Sequence, residues 1–166
     1  MAEPADISEL RPTAPSETVS VLTYRTGIQD ANISGNVHGG WIMKLCDDVA
    51  AIAAARHAGG RVVTAAVDGM KFRSPVYVGD LVTLHATVNA VWRTSMEVGV
   101  RVESEDVTTR QTRHTCTAYL TMVALDEHER AMPVPPLARL TELDRRRHED
   151  ACRRREIRLT FSDSSG

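Results

Sequence analysis

Long apolar runs are absent from the 166-residue sequence, and the longest, residues 49–55, contains only seven residues. Because a helix needs about 20 apolar residues to cross a bilayer, the sequence predicts no transmembrane segment. An excess of one charge is also missing, since 20 Lys and Arg oppose 22 Asp and Glu, for a formal net charge of −2. This balance provides no general attraction for nucleic acid or anionic lipid, so neither is expected as a partner.

Cysteine is scarce, and Cys46, Cys116 and Cys152 include no CxxC pair. An odd, widely spaced set argues against a disulfide framework and against a zinc site, and the histidines show no metal-ligand spacing either. We therefore predict no metal. No GxSxG or P-loop motif occurs, so a serine hydrolase or a nucleotide-hydrolysing enzyme has no support. The first residues lack a basic start followed by an apolar stretch, which predicts a cytoplasmic location.

A single domain between two tails is the predicted organisation. Residues 1–16 contain three prolines and no periodic apolar pattern, which predicts a flexible N-terminal tail. Residues 139–166 are charged and Arg-rich, which predicts a C-terminal tail that is either a solvated helix or partly disordered. The domain itself is expected over residues 17–138.

Hydrophobic periodicity within this domain predicts one helix and five strands. The strands are expected at 18–24, 62–67, 81–91, 96–102 and 112–124, with a polar loop at 26–40 and a largely buried helix from Trp41 to His57. This order predicts an α+β fold in which an antiparallel five-stranded sheet wraps around one long central helix. One helix is not expected to cover both faces of the sheet, so apolar residues such as Leu84, Ala86 and Val88 suggest burial against a second copy of the chain.

Two features near the start of the helix point to chemistry. Gly39 and Gly40 leave backbone N–H groups uncovered, which suits an oxyanion site, although they could equally provide a tight entry to the helix. Asp47 falls in a sector of small and apolar side chains, where a carboxylate is expensive to bury. It is therefore expected to be functional, with a buried pairing or capping role as the alternative. Asp48 follows Lys44 by four residues and predicts an ordinary ion pair.

An ordered set of motifs also resembles one enzyme family. The motifs are GNVHGG at 35–40, MKLCDDVA at 43–50, VVTAAVD at 62–68, FRSPV at 72–76 and VPP at 134–136. In this order they resemble the hotdog-fold acyl-CoA thioesterases of the brain acyl-CoA hydrolase type and their single-domain bacterial relatives. The resemblance covers about residues 19–137. It implies hydrolysis of an acyl-CoA to a fatty acid and CoA, without a further cofactor, in a homodimer that assembles into a trimer of dimers.

The resemblance also implies roles for five residues. The family's catalytic carboxylate falls on Asp47 and its active-site asparagine on Asn36, and each site would take Asn36 from one chain and Asp47 from the other. Asp47 would act as a general base on water, or would attack the thioester to give a mixed anhydride. The N–H groups of Gly39 and Gly40 would hold the oxyanion, while His38 is expected to shape the loop, with acid–base catalysis as the alternative.

Further positions are candidates for substrate binding, because CoA has several phosphate charges that basic and hydroxyl side chains can bind. They are Arg93, Thr94 and Ser95 at a turn between strands, Lys71, Arg73 and Ser74 after the second predicted strand, and Thr64 and Phe72 along the pantetheine or acyl channel. An ordinary polar hairpin and plain core are the alternatives for these positions. The preferred acyl-chain length is open.

Two other functions compete with hydrolysis. An enoyl-CoA hydratase of this fold would need an Asp-x-Asn-Pro-x-His pattern, whereas residues 30–34 read DANIS and lack the Pro. A non-catalytic acyl-CoA sensor would keep the pocket and lose the carboxylate. Because Asp47 and Asn36 are both present, catalysis is favoured.

Overall fold

The computed structural model describes residues 10–163, with side chains described up to residue 160. Its elements, in chain order, are α1 (Pro15–Thr18), β1 (Ser20–Arg25), a short 3-10 turn (Ile28–Asp30), α2 (Gly39–Ala58), β2 (Arg61–Phe72), β3 (Leu81–Val91), β4 (Ser95–Asp106), β5 (Gln111–Leu125) and α3 (Glu142–Asp163). The predicted α+β fold, with one central helix, five strands and a C-terminal helix, is confirmed.

The five strands form one antiparallel sheet in the order β1-β3-β4-β5-β2, so β1 and β2 are its edges. Helix α2 packs against all five strands and fills the core on one face of the sheet. Leu84, Ala86 and Val88 have no exposed surface and belong to this core. The prediction that they need a second chain for cover is wrong, because a helix of 20 residues, about 30 Å long, reaches across the whole sheet.

Local sequence signals set the ends of α2. The His38 side chain caps the N-terminus, and Gly59, with φ 71°, ends the helix in the left-handed conformation that glycine adopts easily. The prediction of a largely buried helix is correct for only one side. Met43, Lys44 and Asp47 are exposed in the protomer, because the sheet does not cover this side of the helix.

Strand β2 is longer than its hydrophobic pattern predicts, ending at Phe72 instead of at residue 67. Its pairing with β5 shifts register between Thr64 and Ala66 and again between Val67 and Gly69. Each bulge interrupts the two-residue alternation by which a strand is recognised in sequence. Lys71 and Phe72 therefore lie within β2 and not in the loop that follows it.

Both predicted tails contain folded residues. Thr13 bridges to Leu137, Ala14 is buried and α1 begins at Pro15, a residue suited to the first turn of a helix. Part of the predicted tail 1–16 thus packs on the domain, and residues 1–9 lie outside the described residues. Helix α3 buries Ala151 while most of its surface is exposed. None of the helices within residues 10–163 is long and apolar enough to cross a membrane.

Candidate functional site

Asp47 lies on the exposed side of α2, where it faces Thr64 of the edge strand β2. Thr64 Oγ1 donates a hydrogen bond to Asp47 Oδ1 at 2.5 Å, which fixes one carboxylate oxygen. Asp47 lines a cavity of about 340 Å³, called here the Asp47 cavity. Its lining is mostly apolar and consists of Gly40, Met43, Lys44, Cys46, Asp47, Val67, Met70, Ala118 and Leu120. The prediction that Asp47 is buried is wrong for the protomer, because no element within residues 10–163 covers that side of α2.

The two bulges of β2 place its residues around Asp47. Thr64 bonds to Asp47, while Val67 and Met70 line the Asp47 cavity. These three residues are spaced by three positions, whereas a regular strand presents every second residue to one face. The register shifts at Thr64/Ala66 and Val67/Gly69 account for this spacing. The bulges therefore give this stretch of β2 its contacts with the site.

The polar loop before α2 is fixed by buried Asp30. Its Oδ2 accepts hydrogen bonds from the Gly27 N–H at 2.7 Å and from the Tyr24 hydroxyl at 3.1 Å. Its backbone oxygen accepts the His38 N–H at 2.7 Å. The side chain and the backbone carbonyl of Asp30 thus connect the start of the loop to the start of α2.

The two loop asparagines lie beside a second cavity. Asn32 Oδ1 accepts the Ser34 N–H at 2.9 Å and the Asn36 N–H at 3.3 Å, and Asn36 forms a bridge to Tyr77. This cavity, called here the asparagine cavity, has a volume of about 380 Å³. It is lined by Asn32, Asn36, Val37, Gly39, Ile42, Phe72, Arg73, Ser74, Pro75 and Val76. In one protomer, Asn36 and Asp47 therefore line different cavities.

The backbone donors at the start of α2 are not equivalent. The Gly40 N–H donates to His38 Nδ1 at 3.0 Å. Within residues 10–163, the Gly39 N–H has no hydrogen-bond acceptor. A Cβ at Gly39 would lie 3.4 Å from the Phe72 ring, which is ordinary van der Waals contact, so this ring packs beside the start of the helix. Gly39 thus offers the free donor at the positive end of the helix dipole, and His38 acts as a helix cap.

The other predicted substrate contacts divide into two groups. Phe72, Arg73 and Ser74 line the asparagine cavity, together with Gly39. Lys71 is exposed on β2 and lines neither cavity. Arg93, Thr94 and Ser95 lie at the β3–β4 turn and line neither cavity as well.

Other reactive groups in the described part of the chain give no sign of a second chemistry. Residues 10–163 contain no group of three or more His, Cys, Asp or Glu side chains placed to hold a metal ion. A hydrogen bond from the Cys46 thiol to Cys116, together with burial, raises the pKa of Cys46 far above its usual value. Although Cys46 lines the Asp47 cavity, it stays a neutral thiol and a poor nucleophile.

Comparison with known proteins places these features in a family. The family model described as the thioesterase superfamily matches residues 34–111. The acyl-CoA thioester hydrolase YkhA of Bacillus subtilis is 37% identical over 138 residues, which are 83% of this chain and 80% of YkhA. The chain belongs to the hotdog-fold acyl-CoA thioesterases. Protein VdlD of Helicobacter pylori is 40% identical to this thioesterase over 149 residues, 90% of the chain and 85% of VdlD.

Solved structures agree with this membership. An apo-hexameric acyl-CoA thioesterase superimposes on this thioesterase with a TM-score of 0.89 at 35% identity, covering 92% of this chain and 98% of the other. The acyl-CoA hydrolase of Staphylococcus aureus, solved with butyryl-CoA, CoA and CoA disulfide, has a TM-score of 0.85 at 31% identity, covering 92% and 93%. The predicted family and enzyme class are confirmed.

Variants of the Staphylococcus aureus hydrolase draw attention to three residue types. Separate structures of that protein contain alanine in place of one asparagine, one aspartate and one threonine. The asparagine precedes the aspartate by 15 positions, and the threonine follows it by 17. In the thioesterase described here, Asn32, Asp47 and Thr64 have the same two separations.

Proposed function

We propose that Asp47 is the catalytic carboxylate of acyl-CoA hydrolysis and that the acyl chain occupies the Asp47 cavity. The main support is the bond from Thr64 to Asp47 Oδ1, which holds this carboxylate at the edge of a mostly apolar cavity. A fixed carboxylate next to an apolar cavity suits a thioester, whose acyl part is apolar and whose carbonyl must meet an activated water.

In the proposed reaction, Asp47 takes a proton from a water molecule, and the resulting hydroxide adds to the thioester carbonyl. The Gly39 N–H, at the positive end of the α2 dipole, stabilises the oxyanion that forms. One such donor contributes roughly 3 kcal/mol. The carbonyl then re-forms, the C–S bond breaks, and the CoA thiolate receives the proton that Asp47 took from the water. In the alternative route, the Asp47 carboxylate adds to the carbonyl itself, the C–S bond breaks and CoA leaves as the thiolate. Water then hydrolyses the resulting anhydride to the fatty acid and free Asp47, and the proton released goes to the thiolate.

Asn32 is a stronger candidate for the active-site asparagine than Asn36. The spacing of the variants made in the Staphylococcus aureus hydrolase supports this choice, because Asn32 matches the asparagine there when Asp47 matches the aspartate. Both asparagines line the same cavity, and Asn32 Oδ1 already accepts two backbone N–H groups. Its amide NH2 would then be the group that orients water or the carbonyl, while Asn36 maintains the loop.

A second copy of the chain completes the proposed site. Asn32 and Asp47 line different cavities of one protomer, and the edge strand β2 offers unpaired backbone groups beside both. We propose a homodimer in which asparagine and aspartate come from different chains, assembled further into a trimer of dimers. Arg73 and Ser74 are proposed contacts for CoA. The roles of Lys71, Arg93, Thr94 and Ser95, the lack of a cofactor and the cytoplasmic location stay predictions.

The test of the carboxylate is thiol release from a series of acyl-CoA esters, from acetyl to palmitoyl. Asp47→Ala is expected to lose nearly all turnover. Asp48→Ala is the matched control, because Asp48 is the next residue of α2 and only pairs with exposed Lys44 at 2.6 Å. Turnover in Asp47→Ala close to that of Asp48→Ala would refute the assignment. Saturable acyl-CoA binding without hydrolysis by the wild type would instead identify a sensor.

Mixing two inactive variants tests the two-chain site and the choice of asparagine together. If each site takes its asparagine and its aspartate from different chains, exchange of Asn32→Ala with Asp47→Ala protomers restores one intact site in every mixed dimer. About a quarter of wild-type activity is then expected. No recovery would place both residues in one chain. Asn36→Ala is expected to retain more activity than Asn32→Ala, and the opposite order would return the role to Asn36.

Isotope labelling detects the anhydride route when water attacks the Asp47 side of the anhydride. A single turnover in H₂¹⁸O labels only the fatty acid when Asp47 acts as a general base. In the anhydride route, attack of water on the Asp47 carbonyl leaves ¹⁸O in the protein, which mass spectrometry of the peptide containing residue 47 detects.

A further inference from the structure

Helix α3 lies across the face of the sheet opposite to α2, and arginines on one side of it contact three parts of the sheet. Ala151, Arg154, Arg155 and Arg158 follow the i, i+3, i+4, i+7 spacing of a single helix face. The Arg155 guanidinium lies 4.6 Å from the ring centroid of Trp92, which follows β3. Arg154 contacts β4 and β5, and Arg158 contacts β2.

Arg154 is the anchor of this arrangement. Its Nε and one terminal nitrogen donate to the two carboxylate oxygens of Glu97 at 3.0 and 2.7 Å, and Glu97 has no exposed surface. The guanidinium also lies 3.7 Å from the ring centroid of Tyr119. A paired, buried charge of this kind has a well-defined geometry, so it fixes the place of α3 on the sheet.

One helical turn further on, Arg158 forms an ion pair with Asp68 of β2. The Asp68 side chain exposes 9% of its surface and that of Arg158 exposes 23%. Asp68 lies inside the second bulge of β2, between Val67 and Gly69. The residues on either side of this bulge, Val67 and Met70, line the Asp47 cavity. A contact from α3 on one face of β2 therefore fixes the segment that shapes the cavity on its other face.

We propose that Arg158 is a positioning residue for the acyl chain. By holding Asp68, it keeps the bulge at residues 67–69 formed and thereby holds Val67 and Met70 against the Asp47 cavity. This inference rests on the proposed function, since it takes that cavity to be the acyl site. Arg158 touches neither the substrate nor the reacting atoms, and its effect reaches the chemistry only through the shape of β2.

The kinetic test compares Arg158→Ala with Arg153→Ala across the acyl-CoA series. Arg153 is a matched control, because it lies on the same helix and pairs with an aspartate, but its partner Asp150 belongs to α3 itself. For Arg158→Ala we expect kcat/KM to fall roughly tenfold for the acyl length that fills the cavity best, mainly through KM, and to change little for acetyl-CoA. Arg158→Lys, which keeps the charge, is expected to recover much of the loss. The proposal would be overturned if kcat/KM depended on acyl-chain length in the same way in Arg158→Ala and in Arg153→Ala.

Hydrogen exchange provides a readout that does not depend on turnover. In Arg158→Ala and in Asp68→Asn, amides of residues 65–70 are expected to exchange faster than in Arg153→Ala, while those of β4 keep their wild-type rates. Unchanged exchange at residues 65–70 would show that α3 does not hold the bulge, whatever the enzyme hydrolyses. Faster exchange with an unaltered chain-length profile would show that the bulge is held but does not select the acyl chain, which also overturns the proposal. Failure of the proposed function is recognised separately, from Asp47→Ala.

Discussion

Removing the charge of Arg154 is expected to destabilise the fold strongly. Arg154→Met keeps much of the side-chain volume but leaves the Glu97 carboxylate with one of its three hydrogen bonds, the one from Asn89 Nδ2 at 3.0 Å. Glu97 is completely buried, so water cannot replace the lost partners. Breaking a buried ion pair by removing one member costs about 3–5 kcal/mol. Since a chain of 150–250 residues loses about 2–4 °C in Tm per kcal/mol, the expected decrease is roughly 6–20 °C.

The assay is urea unfolding followed by tryptophan fluorescence at one fixed protomer concentration, because any assembly makes stability concentration-dependent. Arg153→Met is the control, and its exposed pair within α3 predicts a loss below about 1 kcal/mol. The double variant Arg154→Met with Glu97→Gln removes both charges and is expected to regain much of the stability. An Arg154→Met variant as stable as Arg153→Met, or a double variant no more stable than Arg154→Met, would contradict the reasoning.

Two further predictions concern single side chains. Thr64→Val keeps the shape of the side chain but removes the O–H that fixes Asp47 Oδ1. In thiol-release assays, kcat is therefore expected to fall about tenfold with little change in KM. An unchanged kcat would show that the bond has no catalytic role. Burial lowers the pKa of His57 below its usual value of 6.5. As the pH falls below 6.5, the unfolded chain therefore binds more protons than the folded protein, and the stability of the fold decreases. Tm measured from pH 7.5 to 5 should therefore fall less steeply in His57→Gln than in the wild type, and parallel curves would assign the pH dependence to other groups.

Most of the fold was predictable because its strands alternate regularly. The predicted bounds of β3 are those of the structure, and β4 and β5 differ by a few residues at their ends. β2 was predicted too short, because a bulge adds a residue that the alternation rule does not allow for. The packing of α3 was also beyond sequence reasoning. Its anchor is a pair of charged residues 57 positions apart, and charge patterns along a helix do not reveal a distant partner.

The sequence indicated candidate residues for the site, but it did not indicate their burial or their hydrogen-bond partners. Asp47 was expected to be buried because its helical neighbours are small and apolar, yet in the protomer Asp47 is exposed and lines an open cavity together with Met43. Its bond to Thr64 joins residues 17 positions apart on different elements, and no sequence period indicates it. Asn32, the asparagine proposed above, was not selected from the sequence because it lies three positions before the GNVHGG motif, although an asparagine in a Gly-rich polar loop could have been noticed.

The bulges of β2 also bear on how this strand tolerates changes in length. Surface strands at the edge of a sheet often accept the loss of a residue, because the ends can slide. Here a deletion at Asp68 would convert the second bulge into regular strand and leave Val67 beside Gly69. Val67 and Met70 would then be two positions apart and would keep a common face, whereas Arg158 would lose its ion pair with Asp68. A single missing codon would thus keep the wall residues on one face while removing the contact with α3 behind them, which separates the alternation of β2 from its support.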